Sequence, residues 1–419
     1  MIEKYTLDNG VRVIIEKIPT VRSVALGIWV GTGSRYEEPT NNGISHFIEH
    51  MLFKGTKVRS AKEIAEAFDQ IGGHVNAFTS KEYTCFYARI LDEHAPIALD
   101  ILADMFFNSV FDEEELKKER KVVIEEIKMY DDTPDDLVHD LISRASFQNH
   151  PLGYSILGTE EVLNQLNRDH ILHYMEERYQ PQNVVLTVAG NVTDGILDSI
   201  KQYFSTFTRR GKTKSELKPP VFCAGELLRK KETEQAHLCL AFPGLEIGNA
   251  DVYSLILMNN ILGGSMSSRL FQEVREERGL AYSVFSYHSS YKDSGLFTVY
   301  AGTAPNQLDE VYKVIMDTLS KLKSHGITPE ELTKGKEQLK GSLMLSLEST
   351  NSRMSRLGKN ELSLGNHLTL DQIIQRVNAV SLEDVQGAIN RIFTNEMAMA
   401  LVSPFEQLPS SFNKRDLLG

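Results

Sequence analysis

Phe111-Asp112-Glu113-Glu114-Glu115-Leu116-Lys117-Lys118-Glu119-Arg120 reads as the opening of a helix, and a second version of it decides the fold class. Asp112 is a good N-cap, and the acids behind it complement the positive end of the helix dipole. A related run, Ile327-Thr328-Pro329-Glu330-Glu331-Leu332-Thr333-Lys334-Gly335-Lys336, follows 216 residues later. Tyr179 to Ala189 pairs with Phe393 to Ser403 at a similar offset. The expectation is a duplication: two tandem homologous α/β-sandwich domains of the α+β class, residues 1–208 and 221–419. Residues 209–220, polar and basic and ending in Pro219-Pro220, form the linker. A chain of 419 residues is long enough for two separate cores.

The copies differ in their acids. Glu119 falls opposite Gly335 and Glu126 opposite Ser342, so the second copy has lost carboxylates that the first retains. Chemistry is therefore expected in the first half, with the second as a wall or substrate holder. Within the first half, apolar alternation predicts strands at Val11 to Ile15 and Val24 to Val30, and one strand from about Gly73 to Ile90. Helical spacing predicts helices from Ser45 through Leu52, from Ala95 to Met105 and from Asp112 to about Tyr130.

Composition narrows the function classes. Forty-five basic residues against 57 acidic ones give a formal charge of −12, which disfavours nucleic acid as a partner. The apolar runs fall well short of the ~20 residues that span a bilayer. The N-terminal residues lack the features of a signal or organelle presequence, so a cytoplasmic protein without a membrane partner is expected. Cys85, Cys223 and Cys239 form no CxxC pair, so any metal is to be held by histidines and carboxylates.

Such a set is present in His46-Phe47-Ile48-Glu49-His50. Four residues apart on a helix, His46 and His50 project from one face and can converge on one ion. Glu49 is placed to reach a water at that ion, the inverse order of the commoner HExxH arrangement. The plain alternative is two helix histidines beside a surface Glu. A third ligand is needed, and Glu119-Arg120-Lys121-Val122-Val123-Ile124-Glu125-Glu126-Ile127-Lys128 offers two candidates. Glu125 shares a face with Lys118, Lys121 and Lys128, the solvated side. Glu126 shares its face with Glu119, Val122, Val123 and Tyr130, so Glu126 is chosen as ligand. Glu119 becomes the acceptor for the outer N–H of a ligand histidine, or else a helix acid paired with a neighbouring Lys.

His46-Phe47-Ile48-Glu49-His50-Met51-Leu52-Phe53-Lys54-Gly55-Thr56, followed 76 residues after His50 by Glu126, resembles the pitrilysin family of inverted zincins. The likeness is greatest to the processing-peptidase branch and covers nearly the whole chain. It implies a mitochondrial-processing-peptidase-like metallohydrolase fold and a zinc endopeptidase with one Zn2+ per chain. His46, His50 and Glu126 are then the ligands and Glu49 the general base. The implied substrate is an extended or unfolded polypeptide, presequence-like segments included.

The resemblance also assigns residues away from the metal. Asn76-Ala77-Phe78-Thr79 corresponds to an edge strand to which substrate adds as a further strand, against the simpler reading of an ordinary sheet strand. Gly72 and Gly73 before it read as small residues that let another backbone approach. Asp136 and Asp140, at i and i+4 after Pro134, can grip an arginine bidentately, or can complement a helix dipole. Acids at matching positions in the processing peptidases read an arginine near the cleavage site. Arg275 and Tyr282 match the family's pair that stabilises the oxyanion, against a surface Arg and a buried phenol. In relatives that pair faces a zinc domain of another half, which implies a homodimer with composite active sites. Leu262-Gly263-Gly264-Ser265 is either a gating loop or a helix C-terminal cap. Two rival functions remain: a non-catalytic scaffold subunit of the same fold, and a general oligopeptide-degrading peptidase.

Overall fold

The apolar runs fold as strands of two sheets in the computed structural model, which describes residues 2–209, 218–409 and 412. The first sheet takes β1 (Ile2–Thr6), β2 (Arg12–Lys17), β3 (Ser23–Val30), β4 (His74–Thr79), β5 (Thr84–Leu91) and β6 (Val184–Gly190) in the order β1-β2-β6-β3-β5-β4. The second takes β7 (Glu226–Lys230), β8 (Ala236–Pro243), β9 (Ala281–Ser290), β10 (Gly295–Thr303) and β11 (Ala398–Ser403) in the order β7-β11-β8-β10-β9. Setting β1 aside, the two orders superimpose strand for strand. In each sheet one pair alone is parallel, β2 with β6 and β7 with β11. The duplication inferred from the helix run is thus repeated in topology, since helix Glu113–Asp131 recurs as Pro329–Ser346 and β6 as β11.

Two sequence expectations need correction. The single strand expected from Gly73 to Ile90 is a hairpin, β4 and β5, joined at Ser80 to Tyr83, where the Ser80 N–H donates to the Tyr83 carbonyl at 2.8 Å. Alternation runs on across a tight turn, so the pattern alone shows no break. What comes close to Gly73 is a side chain rather than a backbone: a Cβ there would lie 2.6 Å from Ile90 Cγ2. Strand β1 adds to the expected set, since Ile2-Glu3-Lys4-Tyr5-Thr6 carries little apolar character and shows no strand alternation.

Two compact units are formed, and neither is contiguous. The first consists of Met1–Lys128, Tyr154–Leu217 and Leu345–His367, the second of Met129–Gly153, Lys218–Met344 and Leu368–Gly419. The excursions have a physical cause, because a sheet has two apolar faces and each must be covered. One face of the first sheet packs on local helices such as Ala95–Asn108. The other face, with Ile14, Ala25, Trp29, Cys85, Val185 and Ala189, is closed by Met354 and Leu357 of helix Thr350–Ser363. Reciprocally, Val138, Ile142 and Ala145 of helix Pro134–Phe147 close Cys239, Ala241, Ala398, Ala400 and Val402 of the second sheet. Each compact unit thus draws one helix from across residues 209–220, where the sequence expectation set the boundary. Residues 210–217 of that linker lie outside the described residues.

The borrowed helix is tightly seated in the first unit. A Cβ on Gly358 would fall 2.1 Å from the Trp29 ring, so only glycine lets the helix approach this far. Glu361, whose side chain is 1% exposed, bonds Lys4 at 2.9 Å, Arg12 at 3.2 Å and His367 at 3.0 Å. Burial opposes its charge, but hydrogen bonds from Lys4 and His367 and the charges of Lys4 and Arg12 outweigh it and hold the carboxyl below its usual range. Among the described residues, no helix is long and apolar enough to cross a membrane.

Candidate metal centre

Helix Ile44–Met51 is held at its N-terminus by a buried acid. Gly43 is the N-cap at φ 95°, a left-handed conformation that favours glycine. Glu37 accepts from the Gly43 N–H at 2.7 Å and from the Ser45 N–H at 2.9 Å, so its carboxylate satisfies the first orphan donors and meets the positive helix end. Burial raises the Glu37 pKa, against those hydrogen bonds. The Ser45 hydroxyl bonds the buried Tyr174 hydroxyl at 3.0 Å, which fixes the rotation of the helix just before its first histidine.

His46 and His50 then leave one face of that helix, with Nε2 atoms 3.2 Å apart. Glu126 Oε2 lies 3.8 Å from His46 Nε2 and 3.5 Å from His50 Nε2. Ligands at ~2.0–2.1 Å in a tetrahedron stand about 3.3 Å from one another, so these three atoms already have the spacing of one shared ion. No other group of three His, Cys, Asp or Glu gathers this way among the described residues. Burial first, then the neighbouring His50, push the His46 pKa down to about 3, leaving a neutral ring suited to ligation. The donor set of two imidazoles and one carboxylate, with a position left open, fits zinc.

The structure places Glu119 against both His50 and Lys54. It is buried, and its Oε1 stands 2.8 Å from His50 Nδ1. Burial works against its charge, but hydrogen bonds from His50 and Lys54 outweigh this and lower its pKa. A carboxylate can only accept, so the His50 proton sits on Nδ1 and the Nε2 lone pair faces the ligand cluster. The other histidine of the cluster has no such support: His46 Nδ1 is buried without a hydrogen-bond partner among the described residues.

The two adjacent glutamates point to different surroundings. Glu125 is exposed and pairs with Lys128 at 2.8 Å, while Glu126 turns to the histidines. Val122 does not share the inward face: it is 52% exposed, while Val123 and Ile124 carry the buried side of that turn. Glu49 lies among these groups and accepts a 2.5 Å hydrogen bond from Thr79 Oγ1. Burial raises its pKa and the Thr79 bond opposes the rise.

Asn76, Ala77, Phe78 and Thr79 lie on β4, which pairs with β5 on one side and is the edge of its sheet. Helix Ile44–Met51 packs against that strand. Asp136 and Asp140 belong to the second unit, on the first turns of helix Pro134–Phe147. They flank Tyr130, whose pKa is raised by burial and then by Asp140 and Asp136. Arg275 and Tyr282 also lie in the second unit, with the guanidinium 4.6 Å from the Tyr282 ring centroid and 4.8 Å from that of Phe271. Tyr282 is 76% exposed, so the buried-phenol alternative is removed. Gly263 ends helix Val252–Gly263 and Gly264 caps it, as the capping alternative held. Two features escaped the sequence reading. Lys54 Nζ lies 2.6 Å from Glu119 Oε2, although the spacing 46, 50, 54 did continue the histidine face. The Thr79 bond to Glu49 left no sequence signal.

The second copy has the same scaffold with an apolar filling. There Gly335 packs against Ile261 and Leu257 of helix Val252–Gly263, the topological counterpart of the histidine helix.

Comparison with known proteins follows these lines. Residues 12–160 match the profile described as insulinase (peptidase family M16), and residues 165–339 match the peptidase M16 inactive domain. A Bacillus subtilis protein named as an uncharacterized zinc protease, YmxG, is 61% identical over 98% of this chain and 100% of its own. A Streptomyces coelicolor protein, also named as an uncharacterized zinc protease, is 41% identical over 98% of this chain and 91% of its own. In fold, the chain is similar to a protease from Helicobacter pylori with a TM-score of 0.91 at 23% identity, covering 96% of this chain and 99% of that one.

Proposed function

Because the chain belongs to the insulinase family of M16 peptidases, we propose that it is a zinc-dependent endopeptidase that cleaves extended peptide segments. The observation that carries this reading is the convergence of His46, His50 and Glu126 on one point beside the half-buried carboxylate of Glu49. Zinc held by those three residues would supply Lewis acidity, bringing the pKa of a water toward neutrality and polarising the scissile carbonyl. Glu49 accepts the proton of the attacking water and passes it to the leaving amine. Thr79 keeps that carboxylate in place by its hydrogen bond, and Glu119 keeps His50 in the ligating tautomer. The open edge of β4 offers backbone groups to a substrate strand, which favours extended chains over folded ones.

Two finer elements rest on the family resemblance. Asp136 and Asp140 would favour basic residues near the cleaved bond. Arg275 with the exposed Tyr282 would complete the oxyanion site of a second copy in a homodimer. The retained His46, Glu49, His50 and Glu126 weigh against a scaffold role.

The test is metal analysis with a quenched peptide library. The purified chain should carry one zinc, lose cleavage on chelation and regain it on zinc addition. A chain that binds no zinc, or cleaves equally after chelation, ends the reading. A library profile without enrichment of Arg removes the basic preference alone. For the dimer, mixing inactive Glu49→Gln chains with weakened Tyr282→Phe chains should restore activity above that of either preparation. No recovery after subunit exchange speaks against sites completed in trans.

A further inference from the structure

We infer that Lys54 is a positioning residue of the metal centre: it clamps Glu119 and, through Glu119, fixes the orientation of His50 toward the metal. The inference rests on the zinc reading proposed above. Its basis is a three-membered chain of contacts within the first unit. Lys54 Nζ lies 2.6 Å from Glu119 Oε2, and Glu119 Oε1 lies 2.8 Å from His50 Nδ1, so each carboxylate oxygen has its own partner. With both oxygens engaged, the carboxylate cannot rotate without breaking one bond. Glu119 is 4% exposed, so water offers it little alternative, and a buried acid stripped of a cation is costly.

Backbone geometry explains why Lys54 can reach. The chain leaves helix Ile44–Met51 in a tight turn, with the Phe53 N–H donating to the His50 carbonyl at 3.2 Å and the Lys54 N–H to the Met51 carbonyl at 3.1 Å. Gly55 at φ 114° then redirects the chain. The lysine therefore returns toward helix Glu113–Asp131, which carries Glu119 and Glu126. The two contacts on Glu119, one from Lys54 and one from His50, tie the histidine helix and the turn after it to the third-ligand helix, so the ion pair helps hold the two ligand-bearing elements in register. This matters because the site has little redundancy. His46 Nδ1 has no partner among the described residues, so outer orientation of the ligand histidines rests on Glu119 alone.

The competing reading is an ordinary structural ion pair, which would affect folding without touching metal affinity. Zinc affinity is measured by chelator competition on the full chain for wild type, Lys54→Met, Lys54→Arg, Glu119→Gln and the Lys54→Met/Glu119→Gln double variant. Thermal unfolding of the metal-free proteins is recorded beside it. Lys54→Met is expected to weaken zinc binding about 10- to 100-fold, the range for loss of a group that orients a ligand. Lys54→Arg, which keeps the charge, should lie closer to wild type than Lys54→Met does. The double variant should bind no more weakly than Glu119→Gln alone, because both changes act through one carboxylate. Wild-type affinity in Lys54→Met, with or without a lower unfolding temperature, overturns the inference, and so do additive losses in the double variant. Should Lys54→Met not fold, Lys54→Gln, neutral but still a hydrogen-bond donor, is judged by the same criteria. A wild-type chain that binds no zinc overturns the zinc reading itself, and this inference with it.

Discussion

Glu49→Gln is expected to retain zinc and to lose cleavage by about 10²- to 10⁴-fold, the range attributed to a positioned proton-transfer group. The substitution is close to isosteric, and the contacts of His50 with Glu119, His46 and Glu126 do not involve residue 49. The amide oxygen can still accept from Thr79 Oγ1, so the 2.5 Å contact that seats residue 49 has a substitute. What disappears is the ability to take a proton. The prediction therefore separates base from ligand: metal content and affinity stay level while kcat falls. If the variant turns over peptide at the wild-type rate, Glu49 is not the base. If it loses zinc, Glu49 belongs to the ligand set and the division of labour is different.

The second large effect concerns the fragment of residues 1–208. Expressed alone, it should fail to give a monomer with a cooperative unfolding transition. Without helix Thr350–Ser363, the face bearing Ile14, Ala25, Trp29, Cys85, Val185 and Ala189 is left open. Losing the packing of even one large buried side chain costs about 3–5 kcal/mol, against a total stability of about 5–15 kcal/mol for a domain. Exposed apolar area of that kind favours aggregation. Size-exclusion chromatography and circular dichroism decide the matter. A full chain cleaved once in the linker, with both pieces retained, should instead stay associated and folded. A monomeric 1–208 fragment with a sharp transition would show that the borrowed helix is dispensable.

Much of the site was legible because it obeys local helical geometry. The i, i+4 spacing of His46 and His50 and the opposed faces of Glu125 and Glu126 depend on 3.6 residues per turn and little else. The duplication was legible for a similar reason, since capping chemistry recurs wherever the same helix begins. The contacts of Lys54 with Glu119 and of Thr79 with Glu49 join residues 65 and 30 positions apart, and no periodicity links them. The hairpin of β4 and β5 was lost for the opposite reason, an alternation so regular that the turn did not interrupt it. The exchange of helices could not be read at all. Helices Pro134–Phe147 and Thr350–Ser363 each show an apolar stripe, but a stripe does not state which sheet it covers.

That exchange bears on how a duplicated chain can diverge. A single ancestral copy whose helix reached beyond its own sheet could close only by trading that helix with a second copy, a symmetric pair. Joining two such copies end to end converts the trade into an intramolecular event, with the effective concentration a short tether provides. Each half then remains necessary to the other's fold whatever its chemistry. The second half carries Gly335 and Ser342 where the first has Glu119 and Glu126, and Leu257 and Ile261 pack beside Gly335. Selection on folding would retain it even though, among the described residues, the candidate metal-binding set lies in the first half alone.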